Sequence, residues 1–255
     1  MDSPGERWRS YFASTGQLEA EPARRGNPST RSVTIDLVRV HRADGELAQA
    51  VIRSPDRLLS AARSTLWDLT EASVPIQLRV ENNPHLCAVS DLSARQLDDL
   101  VTAKGVVDTA GPIRASAVSA RYVCPACDAS VTISPTGVER REPTRCERCE
   151  WGGGFEFDPS GSEFVDTQRL GLTPVPDERD DSHRPEPFTV YVHGDLVGEI
   201  PTDSHVGVTG VLRVRESSET PLSEPYLDAL SVRDERDVSP PDTLREALDS
   251  HWEPD

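Results

Sequence analysis

Apolar residues recur along this chain with two different periods, and the change of period divides it. The first 95 residues carry both. Val33, Ile35 and Leu37 alternate in VTIDL and predict a strand; Ile76, Leu78 and Val80 do the same in IQLRV. Between them, Leu47, Ala50 and Val51 follow Asp44 at helical spacing, with the Asp44 carboxylate placed to cap the start. Ser54 and Pro55 then supply the N-cap and first residue of a longer helix. Leu58, Ala62, Leu66 and Leu69 are its predicted inward stripe, and Pro75 ends it.

From about residue 96 the period shortens to two. LVTAKGVVDTAG and IRASAVSARYVC read as strands on either side of a Gly111-Pro112 turn. SEFVDTQRLGL, PFTVYVHG, HVGVTGVLRVR and PYLDALSV continue the pattern after a cysteine-bearing insert. About five strands with a small module among them suit a partly open barrel such as an OB-fold. The predicted class is α+β, mainly β. A helical subdomain covers residues 1–95, the first barrel strands 96–120, the insert 121–160, the remaining strands 161–233, and an acidic tail with a short helix 234–255. The Pro-rich, acidic PVPDERDDSHRPEP reads as a surface loop.

The insert holds four of the five cysteines. Cys124, Cys127, Cys146 and Cys149 form two Cys-x-x-Cys pairs with 18 residues between them, the spacing of a structural zinc ribbon. Iron bound by four thiolates fits the same ligands. A thioredoxin-like redox pair needs a βαβ unit, and a zinc deaminase needs His-x-Glu ahead of its cysteines; neither is present. Cys87, beside His85, reads as a half-buried thiol.

Charge alters the expected partners. Against 44 acidic residues stand 27 basic ones, of which Lys104 is the only lysine, and the net charge is −17. Excess carboxylate with almost no lysine suggests a proteome adapted to high salt, where screening blunts self-repulsion. Any contact with nucleic acid then depends on local arginine clusters. No run of 18 apolar residues crosses a membrane, and the N-terminus has no apolar stretch of the signal-peptide kind. A reducing, cytoplasmic home is the expectation.

RYVCPAC and RCERC, followed by SEFVDTQRLGL and FTVYVHGDLVGEIPTDSHVGVTGVL, resemble in that order the N-terminal region of archaeal minichromosome maintenance (MCM) replicative helicases. Upstream, LDDLVTAKGVVDTAGPIRASAVSARYVC is similar to the segment leading that family's first OB strands into its zinc ribbon. The resemblance covers roughly residues 30 to 233. It implies a helical bundle, a zinc ribbon and an OB-fold. In full-length relatives these form a hexameric ring that holds single-stranded DNA inside, meets a second ring through the ribbons, and is followed by an ATPase motor. No Gly-x-x-x-x-Gly-Lys-Ser/Thr loop occurs here, and Lys104 lies in a strand context, so these residues are expected to hydrolyse no nucleotide.

Arg114 in GPIRAS and Arg169 in DTQRLGL match basic positions on that family's DNA path. Arg213 and Arg215, two apart in VLRVR, share one face of a strand, with Leu212 and Val214 on the other. Arg121 and Tyr122 add a charge and a ring at the ribbon's entrance. Three departures weaken the likeness. Gly171 and Thr173-Pro174 replace residues of the family pattern, and Glu216, Glu219 and Glu224 make the last hairpin acidic. Two functions follow: single-stranded DNA binding in replication or repair, or an interaction module that joins or regulates a full-length MCM hexamer. A ring of copies of this chain fits either.

Overall fold

The structure is a computed structural model that describes residues 3–15, 21–22, 31–70, 76–135, 137–138, 142–175, 186–215 and 223–238. The helical unit comprises α1 (Pro4–Thr15), β1 (Glu21–Pro22), β2 (Arg31–Asp36), α2 (Leu37–Ala43), α3 (Gly45–Arg53), α4 (Pro55–Thr70) and β3 (Ile76–Glu81). Then come β4 (Leu86–Ala88), β5 (Leu100–Val123), β6 (Ser130–Ile133), β7 (Glu156–Thr173), β8 (Phe188–His193), β9 (His205–Arg215) and β10 (Glu224–Asp234).

Five of these strands close on themselves. β5 pairs antiparallel with β7 and β9, β7 with β8, and β9 with β10, while β8 and β10 run parallel. The circuit β5-β7-β8-β10-β9 leaves no open edge, whereas the strand pattern predicts a partly open barrel. Val101, Ala103, Leu170, Leu172, Val190, Val192, Leu212 and Leu227 fill its interior. Gly111-Pro112 is not a turn. β5 runs straight through, and these two residues oppose only Arg169, between the pairs Ala110–Leu170 and Ile113–Gln168. Pro112 has no N–H to give a ladder, and a Cβ on Gly111 would stand 3.1 Å from the Arg169 carbonyl, so the pair makes a bulge.

The Asp44 cap read from the sequence forms, its carboxylate accepting from the Leu47 amide at 3.0 Å. Ser54 takes the position before α4, where its carbonyl accepts from the Leu58 amide at 3.2 Å and Pro55 opens the helix. Two helices go beyond the sequence reading. α1 buries Trp8, Tyr11 and Phe12 at helical spacing, and the Trp8 indole donates to the Leu58 carbonyl at 2.8 Å. Leu37 does not continue its strand: Asp36 caps α2 by accepting from the Val38 amide at 2.9 Å, and Leu37 is buried as the first helical residue. Leu69, predicted inward, is 36% exposed beside Trp67, because α4 outruns the core it covers. Pro75 lies outside the described residues, as do the greater part of the loop at 176–185, the hairpin tip at 216–222 and the tail from 239.

Core residues of the helical unit pack on Leu100 and Val211, so the unit sits on the barrel's outer wall. Two buried guanidinia fasten it there. Arg79 of β3 pairs with Asp195 and donates to the carbonyls of His193 and Leu230. Arg213 of β9 reaches the other way, to Asp56 of α4. Beyond the barrel β5 and β7 continue as a two-stranded stalk, with β6 paired to the end of β5. A small core of Ala117, Ala120, Tyr122, Val131, Ile133 and Phe157 roots the ribbon there.

Candidate metal centre and nucleic-acid face

The two Cys-x-x-Cys turns have the same construction. In the first, the Cys124 carbonyl accepts the Asp128 amide and the Cys124 amide donates to the Ala129 carbonyl, both at 2.9 Å. In the second, Cys146 makes the matching bonds to the Glu150 amide at 2.9 Å and the Trp151 carbonyl at 2.8 Å. Asp128 and Glu150 close the turns at φ +55° and +62°, a left-handed conformation that few residues other than glycine adopt.

These turns bring all four sulfurs within 4.8 Å of one another, with Cys124–Cys149 and Cys127–Cys146 each 3.7 Å apart. Sulfurs bonded at about 2.3 Å to one tetrahedral ion lie about 3.8 Å apart, so the donor set fits a closed four-coordinate metal with no open position. Crowded thiols do not ionise together. Cys146 is held down to about 7, first by the Cys149 amide, then by that of Arg148. The Trp151 amide favours the Cys149 thiolate, yet the neighbouring sulfurs push that group up to about 12. A cation among them removes the repulsion.

The candidate arginines separate into three environments. Arg114 and Arg169 are exposed on the outer face of the barrel. Arg114 pairs with Thr167 across the β5–β7 ladder, and Arg169 lies two residues farther along β7, so all three leave the same side. Arg169 donates to the Thr189 hydroxyl at 3.0 Å and is the cross-strand partner of Tyr191. Arg215 joins them from β9: its guanidinium carbon stands 5.5 Å from the centroid of the Tyr191 ring, and it donates to that ring's hydroxyl. Tyr226 meets Tyr191 edge to face at 5.4 Å.

Arg213 is elsewhere. It is 8% exposed, held by Asp56 at 2.5 Å and by Asp228 at 3.2 Å. Its neighbours keep the expected alternation but differ in burial. Leu212 points into the barrel, while Val214, past the barrel's end, is 38% exposed. Arg121 lies about 20 Å along β5 from Arg114, where it pairs with Asp158 at 3.6 Å. Tyr122 offers no platform: it is buried in the ribbon core, 5.7 Å from Phe157.

Gly171 has a packing reason. A Cβ there would come within 2.4 Å of the Thr109 hydroxyl and 2.8 Å of the Pro187 side chain, so no arginine fits. Glu224 is exposed at the base of the last hairpin, and Glu216 and Glu219 lie outside the described residues. Cys87 is part-buried with its thiol pushed up by burial, which leaves it inert. The sequence reading missed Thr167, Tyr191 and His193 as members of the outer face. The signal was there in FTVYVH: Val190 and Val192 are fully buried inside the barrel, which sends Tyr191 and His193 outward.

A closed five-stranded barrel with one parallel pair, carrying a four-cysteine ribbon between its first two strands, defines an OB-fold of a specialised class. The family model for the MCM OB domain matches residues 88–216, and this chain belongs to that family. DNA replication licensing factor MCM4 of Drosophila melanogaster is 28% identical over 138 residues, which are 54% of this chain and 16% of that protein. DNA replication licensing factor mcm7-B of Xenopus laevis is 31% identical over 152 residues, 55% of this chain and 21% of that protein. The chain thus spans about a fifth of the length of such relatives. The crystal structure of the N-terminal domain of an archaeal MCM superposes with a TM-score of 0.71 at 19% identity, covering 91% of this chain and 98% of that one. Among the described residues no helix is long and apolar enough to cross a membrane.

Proposed function

We propose that this chain is an MCM N-terminal module that holds zinc at Cys124, Cys127, Cys146 and Cys149 and binds single-stranded DNA on the outer barrel face, in DNA replication or repair in the cytoplasm. The observation that carries the DNA reading is one outer face shared by Arg114, Arg169 and Arg215, with Tyr191 beside the last two. Guanidinia spaced along strands follow a phosphate backbone, and an aromatic ring among them offers a stacking surface to bases of any identity. Zinc shapes the ribbon and does no chemistry, because four thiolates leave it no site for water or substrate. These 255 residues offer no phosphate loop, so they do not themselves drive movement along DNA by that chemistry.

One observation favours the interaction reading. Ile113, where β5 leaves the barrel, and Phe164, farther along the stalk, stand about half exposed on the side away from Arg114, where a second chain would cover them. A ring of copies, or a seat in the ring of a full-length MCM, uses that side. Size-exclusion chromatography of the protein mixed with a thymidine homopolymer, and separately with a full-length MCM of the same cell, tests both. Co-elution with the oligonucleotide supports the DNA module; co-elution with the MCM alone replaces it with the interaction module.

A further inference from the structure

Thr167, itself only 7% exposed, lies opposite Arg114 and two residues before Arg169 on the outer face, and a hydrogen-bonded chain runs behind it. Its hydroxyl meets His193 Nδ1 at 2.9 Å, and His193 Nε2 meets Asp228 Oδ1 at 2.8 Å. Asp228 Oδ2 in turn accepts from Arg213 Nε at 3.2 Å. Burial works against the Asp228 carboxylate, but His193 and Arg213 outweigh it and the group stays ionised.

The imidazole satisfies both its bonds in either charge state. Asp228 accepts throughout, so Nε2 carries a hydrogen throughout. Only Nδ1 changes. Neutral, it accepts the Thr167 hydroxyl hydrogen; protonated, it donates to the Thr167 oxygen and leaves that hydrogen free to point elsewhere. A hydroxyl donor next to the strand positions of Arg114 and Arg169, backed by an imidazolium, suits an anionic phosphate oxygen that draws the Arg169 guanidinium away from Thr189.

We propose that Arg114, Thr167 and Arg169 form a phosphodiester subsite whose hydroxyl donor His193 releases, so that a phosphate and a proton bind together. This rests on the DNA reading above and adds a proton to it. The charges around the ring set the balance. Asp228 from β10 attracts the imidazolium, and Arg213 of β9 repels it through the same carboxylate. Arg79 of β3 and Asp195, paired beside the His193 carbonyl, offset each other. Arg114 and Arg169 repel it until an anion arrives between them. Proton and phosphate therefore strengthen each other by the same factor.

The test is fluorescence anisotropy of a labelled thymidine homopolymer at pH 6 and pH 8 and one fixed ionic strength, with wild type, His193→Gln and Thr167→Val. Wild type should bind about fivefold more tightly at pH 6, the upper end of what one solvent-screened charge contact contributes. Both variants should lose most of that difference. Thr167→Val leaves the His193–Asp228 pair in place, so it separates the subsite from any loss of fold in His193→Gln. The same pH response in all three proteins would overturn the subsite and leave DNA binding standing. Absence of wild-type binding at both pH values would overturn the DNA reading, and the subsite with it.

Discussion

Arg213 on the barrel and Asp56 in the first turn of α4 close a guanidinium–carboxylate pair at 2.5 Å across the seam between the two units. Asp228 holds the same guanidinium from the strand beside it. Arg213→Leu leaves Asp228, whose side chain is only 18% exposed, with His193 as its remaining partner, and should cost about 2–3 kcal/mol in urea unfolding. Asp56→Ala should cost about 1 kcal/mol or less, because Asp56 is half exposed and its charge is largely screened. Equal losses would show that the pair, not the buried carboxylate, sets the energy.

Asp44 has two tasks. Its carboxylate caps α3 and pairs with Arg7 of α1, and the Arg7 hydrogen bond, more than the Leu47 amide, holds it below its ordinary value. A carboxyl group lowered in the folded state adds stability that is full above its ordinary value of about 4 and is lost as pH falls through the folded value. Asp44→Ala should therefore cost about 1–2 kcal/mol at neutral pH and much less in acid, read from thermal melts at pH 7 and pH 3. Asp44→Asn keeps a capping oxygen and should fall between.

How much of this was legible in the sequence depends on the range of the forces involved. Asp44, Ser54 and the four cysteines act through neighbours a few residues away, so spacing alone revealed them. The alternation of Val190 and Val192 identified a strand, but only the closed barrel shows that Tyr191 stands beside Arg169 and Arg215. Arg213 was read as a DNA contact because an arginine on an alternating strand looks solvated. Asp56 lies 157 positions away, and nothing local announces that α4 covers that strand. Gly111-Pro112 carries the composition of a turn, and the ladder with β7 makes it a bulge.

Metal loss should be confined to the ribbon. Cys146→Ser removes a buried ligand and should abolish stoichiometric zinc, measured by mass spectrometry of metal content, while protease cuts appear between residues 121 and 160. The barrel and helical unit have their own cores and should stay resistant. Full zinc retention would show that the ligand set is wrong.

Adding a basic residue at Gly171 should not strengthen DNA binding. Gly171→Arg drives a side chain into Thr109 and Pro187, and should lower stability by about 1–3 kcal/mol with no gain in oligonucleotide affinity. Paired melting and binding curves check both halves.

The central claim is that the outer barrel face grips single-stranded DNA through Arg114 and Arg169. Its most direct test is fluorescence anisotropy of a labelled single-stranded oligonucleotide with wild type and the Arg114→Ala/Arg169→Ala double variant, at the lowest salt that keeps both folded. Both side chains are exposed, so the double variant should fold normally. The account predicts saturable wild-type binding that weakens with salt, and a double variant at least tenfold weaker with a shallower salt slope. Equal affinity of the two proteins would contradict it.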